Sequence, residues 1–201
     1  MRLILMRHGE TTWNAESRLQ GQDNSDLSER GVEQARRFGA FVRALKPARV
    51  VSSDLGRTRQ TAALIGHADC PSDARLREWH MGSWTGRTKP ELIAAHADLY
   101  HAWRAGTHTP EGGEPWPVFR DRVAAGLRHW LAAGEGDLLA VVHGGVIRAA
   151  LDAFLQMPPA RVIPVTPGTG TILSFVPGQF TEAQLEGYNI GAVVPDLSVA
   201  D

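Results

Sequence analysis

Residues 1–14, MRLILMRHGETTWN, place a short strand, Arg2–Met6, directly before Arg7, His8 and Gly9. Leu3, Ile4, Leu5 and Met6 are all apolar, which fits a buried strand in the middle of a sheet. The chain leaves it through a guanidinium, an imidazole and a glycine, and then through Glu10 and the polar residues Thr11, Thr12 and Asn14. In open parallel sheets, ligands bind beyond the carboxyl ends of the strands. This stretch therefore poses the fold and the site together.

Outward from it, strands and helices alternate. Ser28 is an N-cap with Glu29 in the first turn, and Val32, Ala35, Phe38, Val42 and Leu45 recur at helical spacing until Pro47. Arg49–Ser52 reads as a second strand, with a helix from Ser53 to about Ile65. A short strand is expected near Ala74–Leu76, followed by the loop REWHMGSWTG. Residues 88–105 read as two short helices divided near His96, and Gly106–Pro115 as a loop. Phe119, Val123, Leu127 and Trp130 mark another helix. Leu138–Val142 (LLAVV) has the unbroken apolar character of a buried parallel strand; it runs into His143-Gly144-Gly145 and a helix carrying Ile147, Ala150, Leu151 and Phe154. Thr171–Val176 and Phe180–Gly187 form an expected antiparallel hairpin about Pro177-Gly178. The pattern predicts an α/β protein: a three-layer αβα sandwich with a mainly parallel central sheet, one domain over residues 1–201, and a small helical insert at about 85–117.

The 201 residues suffice for one domain with a real core. Lys and Arg number 21 against 22 Asp and Glu, a net charge of −1, so there is no global field to draw nucleic acid or an anionic membrane. No stretch is long and apolar enough to span a bilayer, and the first apolar run is too short for a signal-peptide core. The single cysteine, Cys70, excludes an internal disulfide framework and suits a reducing compartment, so a cytoplasmic protein is expected.

Arg7-His8, Ser52-Ser53, Glu78 and His143 all follow strands and so arrive at one rim. Arg57 lies one turn into the helix after Ser53, and Gly144-Gly145 open a helix whose first N–H groups form an anion site. Two guanidiniums, two imidazoles and a helix N-terminus suit a phosphate or sulfate. Gly9, Gly144 and Gly145 allow the backbone to approach such a ligand. A phosphoryl group needs an in-line attacking atom, positive charge on its equatorial oxygens and a proton for the leaving oxygen. Neutral imidazole attacks, neighbouring arginines disfavour its protonation, and Glu78 can supply the proton. Each residue also has a bland reading. A lone histidine at a strand end is usually structural, Arg57 can pair with Asp54, and Glu78 can be a surface carboxylate. Convergence on one rim is what favours the chemical reading.

RHGETTWN resembles the signature of the histidine phosphatase, or phosphoglycerate-mutase-like, superfamily. The likeness continues through RLQGQDNSDLSERGVEQA, SSDLGRTRQTA, LREWHMGSWTG and VVHGGVIRA, in family order from residue 2 to about 155. The resemblance implies that His8 is the phosphohistidine nucleophile and that Glu78 is the proton donor and later the base that activates water. It implies that Arg7, Arg57 and His143, with Gly144 at the helix start, bind the transferred phosphoryl group. Asn14 would help hold the phosphate, and Gln20 and Gly21 would contact substrate. No cofactor and no metal is implied, and no HExxH or similar ligand spacing occurs; His96 and His101 read as surface residues. Asn24 stands where relatives commonly have aspartate, and Thr85 where phosphatase members often have glutamate.

Within that superfamily, mutases carry a long anion-clamping insert after the glutamate loop. Here the stretch is short, with Arg87, Lys89 and Arg104 but also Trp84, Leu92, Ile93, Leu99, Tyr100 and Trp103. Apolar groups favour a pocket for an organic monoester, unless they merely pack the insert helices. The pattern is similar to the small broad-specificity and alpha-ribazole phosphatases. A metal-independent phosphomonoesterase acting on a small organic phosphate is the expected activity, with mutase-type phosphoryl transfer as the alternative and a non-catalytic phospho-ligand module as the third. The expected partner is a small phosphate monoester, with no nucleic acid and no membrane; a homodimer is left open.

Overall fold

The computed structural model describes residues 1–191; the last ten residues of the expected domain lie outside it. Its sheet is built from β1 (Arg2–Arg7), β2 (Arg49–Ser52), β3 (Leu138–Val142), β4 (Gly170–Val176) and β5 (Gln179–Ile190), in the order β2-β3-β1-β4-β5. β2, β3 and β1 are parallel, β4 runs antiparallel to β1, and β5 antiparallel to β4. β4 alone therefore opposes the others in direction, which is the mainly parallel sheet expected. Alternate residues of the apolar runs face opposite layers. Leu3, Leu5, Leu138, Ala140 and Val142 join one apolar cluster, and Ile4, Met6, Leu139 and Val141 join another. Two buried faces explain why Leu3–Met6 and Leu138–Val142 show no polar positions.

The helices are α1 (Thr12–Ala15), α2 (Glu29–Leu45), α3 (Gly56–Leu64), α4 (Lys89–Arg104), α5 (Trp116–Ala132) and α6 (Gly144–Leu155). α2 and α3 cover one face through Phe38, Val42 and Ala62. α5 and α6 cover the other through Val123, Leu127, Val146, Ile147 and Phe154. Ser28 caps α2 as read, its hydroxyl accepting from Gly31 N–H at 3.0 Å. The hairpin turns at Gly178, whose φ is +81°.

Two expectations need correction. Ala74–Leu76 is a single 3₁₀ turn capped by Asp73, not a strand; among the described residues the pairing with β2 nearby is limited to the isolated bridge between Ser52 and Ser72. Three residues are too few for pattern to separate the two. The helix after β2 starts at Gly56, not at Ser53. Ser53 spends its hydroxyl on a local 3.4 Å bond from Leu55 N–H, and the cap comes from a distant loop: Arg57 N–H donates to Asn24 Oδ1 at 3.1 Å. Residues 89–104 are two short helical runs meeting at a kink, divided as expected by the non-helical backbone of His96.

The same register brings the site together. Arg7 lies opposite Val142 across the β1–β3 ladder, so both strands end at one level. From there β1 leads through α2 toward β2, and β3 leads through α6 toward β4 on the other side of β1. Strands that depart in opposite directions leave a crevice at their carboxyl ends, the position where α/β sheets bind ligands.

Candidate active site

His8 and His143 extend the two central strands by one residue each. His8 N–H donates to Val142 O at 3.0 Å, and the two rings meet edge to face with centroids 5.3 Å apart. Both are buried, as are Arg7 and Arg57, and Glu78 is 4% exposed. The Arg57 guanidinium can only donate, and its Nε lies 3.2 Å from His8 Nε2. The Gly9 carbonyl can only accept, and lies 2.7 Å from His8 Nδ1. The two partners assign one tautomer: Nδ1 carries the proton and Nε2 presents its lone pair. Burial first, then Arg57 and Arg7, push the His8 imidazole well below the usual histidine range, so it stays neutral. Burial, then Arg57, His8 and Arg7, do the same to His143. Neither ring nitrogen of His143 has a hydrogen-bond partner among the described residues.

Arg57 is aimed by backbone. Its Nη1 donates to Asp23 O at 2.7 Å and its Nη2 to Gly21 O at 2.8 Å. Burial brings its pKa down to about 10. Gly21 reaches the cluster through this carbonyl, and its φ of +53° lies in the region glycine favours. The Asp54 pairing once open to Arg57 does not form: Asp54 binds Arg77 at 2.7 and 2.9 Å.

Glu78 sits on the first turn of α6. Its Oε2 accepts from Gly145 N–H at 3.1 Å and its Oε1 from Trp79 N–H at 2.8 Å. A Cβ on Gly145 would come within 2.2 Å of Glu78 Oε1, and one on Gly144 within 3.3 Å of the Arg7 guanidinium carbon. The two glycines after His143 are thus the space that the carboxylate and the guanidinium occupy.

Not every expected residue joins this group. Asn14 closes the capping box of α1, its Oδ1 accepting from Thr11 N–H at 3.2 Å. Gln20 accepts from the Ser25 hydroxyl at 3.1 Å. Among the described residues neither hydrogen-bonds to His8, Arg7, Arg57, Glu78 or His143. Trp84, Leu92, Tyr100 and Trp103 are buried, and Trp79 stacks on Trp103 at 5.2 Å, so these side chains pack against one another. His96 and His101 are exposed as read. Thr85 Oγ1 lies close to Gly21, 3.2 Å from where a Cβ would stand.

Three contributors escaped the sequence reading. Thr61 Oγ1 accepts from Gly9 N–H at 3.2 Å, tying the loop after β1 to α3. The segment between α6 and β4 donates Gly168 N–H to His8 O at 3.0 Å and accepts Arg7 Nη1 at Val165 O. Arg122 of α5 donates to the carbonyls of Arg75 and Arg77, at 2.8 and 3.1 Å, on the chain leading into Glu78. A lone arginine or threonine inside a helix carries no signal of such a contact.

The chain is similar to known proteins over most of its length. A glucosyl-3-phosphoglycerate phosphatase of Mycolicibacterium vanbaalenii is 39% identical over 169 residues, covering 78% of this chain and 75% of the relative. A probable phosphoglycerate mutase of Salmonella paratyphi C is 37% identical over 164 residues, covering 79% of this chain and 76% of the relative. A solved structure of a mycobacterial glucosyl-3-phosphoglycerate phosphatase complexed with VO3 superposes with a TM-score of 0.86 at 32% identity, covering 94% of this chain and 99% of that one. The family model for the histidine phosphatase superfamily (branch 1) matches residues 3–187, and this chain belongs to that superfamily.

Proposed function

We propose that the protein is a metal-independent phosphomonoesterase that acts on a small organic phosphate through a phosphohistidine at His8. One observation carries the reading: His8 is held neutral with its Nε2 lone pair turned toward the Arg57 guanidinium. In the first step the Nε2 lone pair attacks phosphorus, the phosphorus–oxygen ester bond breaks, and Glu78 gives its proton to the departing oxygen. Arg7, Arg57, His143 and the first N–H groups of α6 supply the positive charge that the transferring oxygens need. In the second step Glu78 takes a proton from water, water attacks phosphorus, and the nitrogen–phosphorus bond breaks to release inorganic phosphate and neutral His8. In this reading Asn14, Gln20 and Gly21 border the substrate, and the protein is cytoplasmic, in keeping with Cys70 as a free thiol.

Phosphatase and mutase share the first step and differ in the acceptor of the second. The names of the relatives supply the panel: phosphate release from glucosyl-3-phosphoglycerate and from simple monoesters, beside isomerisation of 3-phosphoglycerate. Neutral quench after substrate addition should trap phosphohistidine, and His8→Ala should abolish it. Label on serine or aspartate would rule out the mechanism, and isomerisation exceeding phosphate release would make the protein a mutase.

A further inference from the structure

Glu78, unlike His8, is not delivered by a strand end. It stands in the irregular stretch between two 3₁₀ turns, Ala74–Leu76 and Gly82–Trp84. General acid catalysis requires the carboxyl within hydrogen-bond reach of the leaving oxygen, and an irregular loop does not by itself hold an atom that closely.

The loop is gripped from behind by one side chain. Arg122 projects from α5, and its guanidinium meets three carbonyls of this chain segment: Arg75 at 2.8 Å, Arg77 at 3.1 Å and Glu78 itself at 3.4 Å. The remaining donors form a two-pronged pair with Glu114, Nε to Oε1 at 2.9 Å and Nη2 to Oε2 at 2.7 Å. Glu114 is anchored in turn: its backbone carbonyl accepts from Trp79 Nε1 at 2.5 Å and its N–H donates to His80 O at 2.9 Å. The guanidinium also lies over the Phe119 ring, 5.1 Å from its centroid. Both members of the pair are largely removed from water, with side-chain exposures of 22% and 15%. Arg122 and Glu114 therefore bracket Glu78 on both sides in sequence, by the carbonyls of 75, 77 and 78 and by the residues 79 and 80.

We propose that the Arg122–Glu114 pair is a positioning device for the general acid, holding the Glu78 main chain while Gly145 N–H and Trp79 N–H hold its carboxylate. The proposal rests on the reading of Glu78 as the leaving-group acid. Neither member of the pair touches the reacting atoms. The device needs arginine specifically, because a planar fork of five donors reaches two carboxylate oxygens and a row of carbonyls at once, and a lysine ammonium cannot.

The experiment measures single-turnover phosphorylation of the enzyme by an alkyl phosphate and by p-nitrophenyl phosphate in wild type, Arg122→Lys, Glu114→Gln, Glu78→Gln and the Arg122→Lys/Glu78→Gln double variant. An alkoxide needs a proton to leave and a nitrophenolate hardly does, so a misplaced acid lowers the alkyl rate selectively. Arg122→Lys is expected to lower the alkyl-to-aryl rate ratio by about 10-fold, within the range that misplacement of a catalytic group produces. Glu114→Gln is expected to move the ratio in the same direction, and it serves alone should Arg122→Lys not fold. In the Glu78→Gln background, Arg122→Lys should leave the ratio where it is, since no acid remains to position. A purely structural role would lower the melting temperature and leave the ratio at its wild-type value. That result, with Glu78→Gln itself selective against the alkyl ester, would overturn the positioning role alone. If Glu78→Gln is not selective, the acid assignment falls and the proposal with it.

Discussion

Gly145→Ala tests the placement of Glu78 without touching Glu78. The added Cβ would stand 2.2 Å from Glu78 Oε1 and 3.1 Å from its carboxyl carbon. Ordinary contact begins near 3.4 Å, so the carboxylate must retreat by about 1 Å. The retreat also stretches the 3.1 Å bond from Gly145 N–H to Oε2. Gly145 has no positive φ and lies within α6, so alanine is compatible with the backbone and gains up to about 1 kcal/mol of helix propensity to set against the crowding. The fold should survive with a melting temperature near that of wild type. Misplacing a catalytic group by about 1 Å costs about 10²-fold. The expected result is a loss of about 10²-fold in single-turnover phosphorylation by an alkyl phosphate, with a much smaller loss for p-nitrophenyl phosphate, whose leaving group departs without a proton. Steady-state rates would mix this step with hydrolysis of the phosphoenzyme, so the single-turnover measurement decides. A Gly145→Ala enzyme with wild-type phosphorylation by the alkyl ester would refute the role of Glu78. Equal losses on both esters would place the damage in the phosphoryl-binding groups instead.

Two further outcomes follow from the electrostatics of the cluster. Extensive chelation should leave turnover unchanged, because Arg7, Arg57 and His143 already supply the positive charge; activity lost with EDTA and restored by one metal would contradict this. The second concerns pH and stability. The pKa values of His8 and His143 are depressed in the folded chain, so as pH falls below about 6.5 the unfolded chain takes up protons that the folded one does not. Their stability contribution is complete above that pH and declines by up to about 1.4 kcal/mol per pH unit for each histidine. Urea unfolding between about pH 7 and about pH 5 should show this slope, and His143→Asn should make it shallower; an unchanged slope would mean that the ring protonates freely within the fold.

What was legible in the sequence was whatever a side chain repeats or a strand end displays. α2 was readable because its apolar positions recur over four turns behind a serine cap, and β1 and β3 because five consecutive residues in each are buried. His8, Arg7 and His143 were readable because each terminates such a strand, and the parallel register then brings them together without further instruction. The 3₁₀ turn at Ala74–Leu76 was not, because three residues cannot establish a period, nor was the start of α3, because its cap, Asn24, is supplied from more than thirty residues away.

The part of the site hardest to read is the part made of main chain. Arg7 N–H donates to Thr169 O at 3.0 Å, Gly168 N–H donates to His8 O at 3.0 Å, and Arg7 Nη1 binds Val165 O, so the segment after α6 walls the nucleophile with groups that every residue type possesses. Only the side chain that folds this segment has a distinctive identity. Asn189, at the end of β5, accepts from Thr166 N–H at 2.9 Å and from Thr169 Oγ1 at 3.2 Å, and donates to Pro164 O at 3.0 Å. One amide thus satisfies both ends of a loop 20–25 residues earlier in the chain. It does so from a backbone with φ +52°, which asparagine tolerates better than most residues. The hairpin that carries no motif of its own is therefore tied to the RHG stretch at the other end of the protein: β4 pairs with β1 along its length, and β5 brings the asparagine that shapes the loop against His8. A site built in this way sets Arg7, His8 and His143 at strand ends, where a sequence displays them, and places its precision among carbonyls and N–H groups, which only the folded chain brings into register.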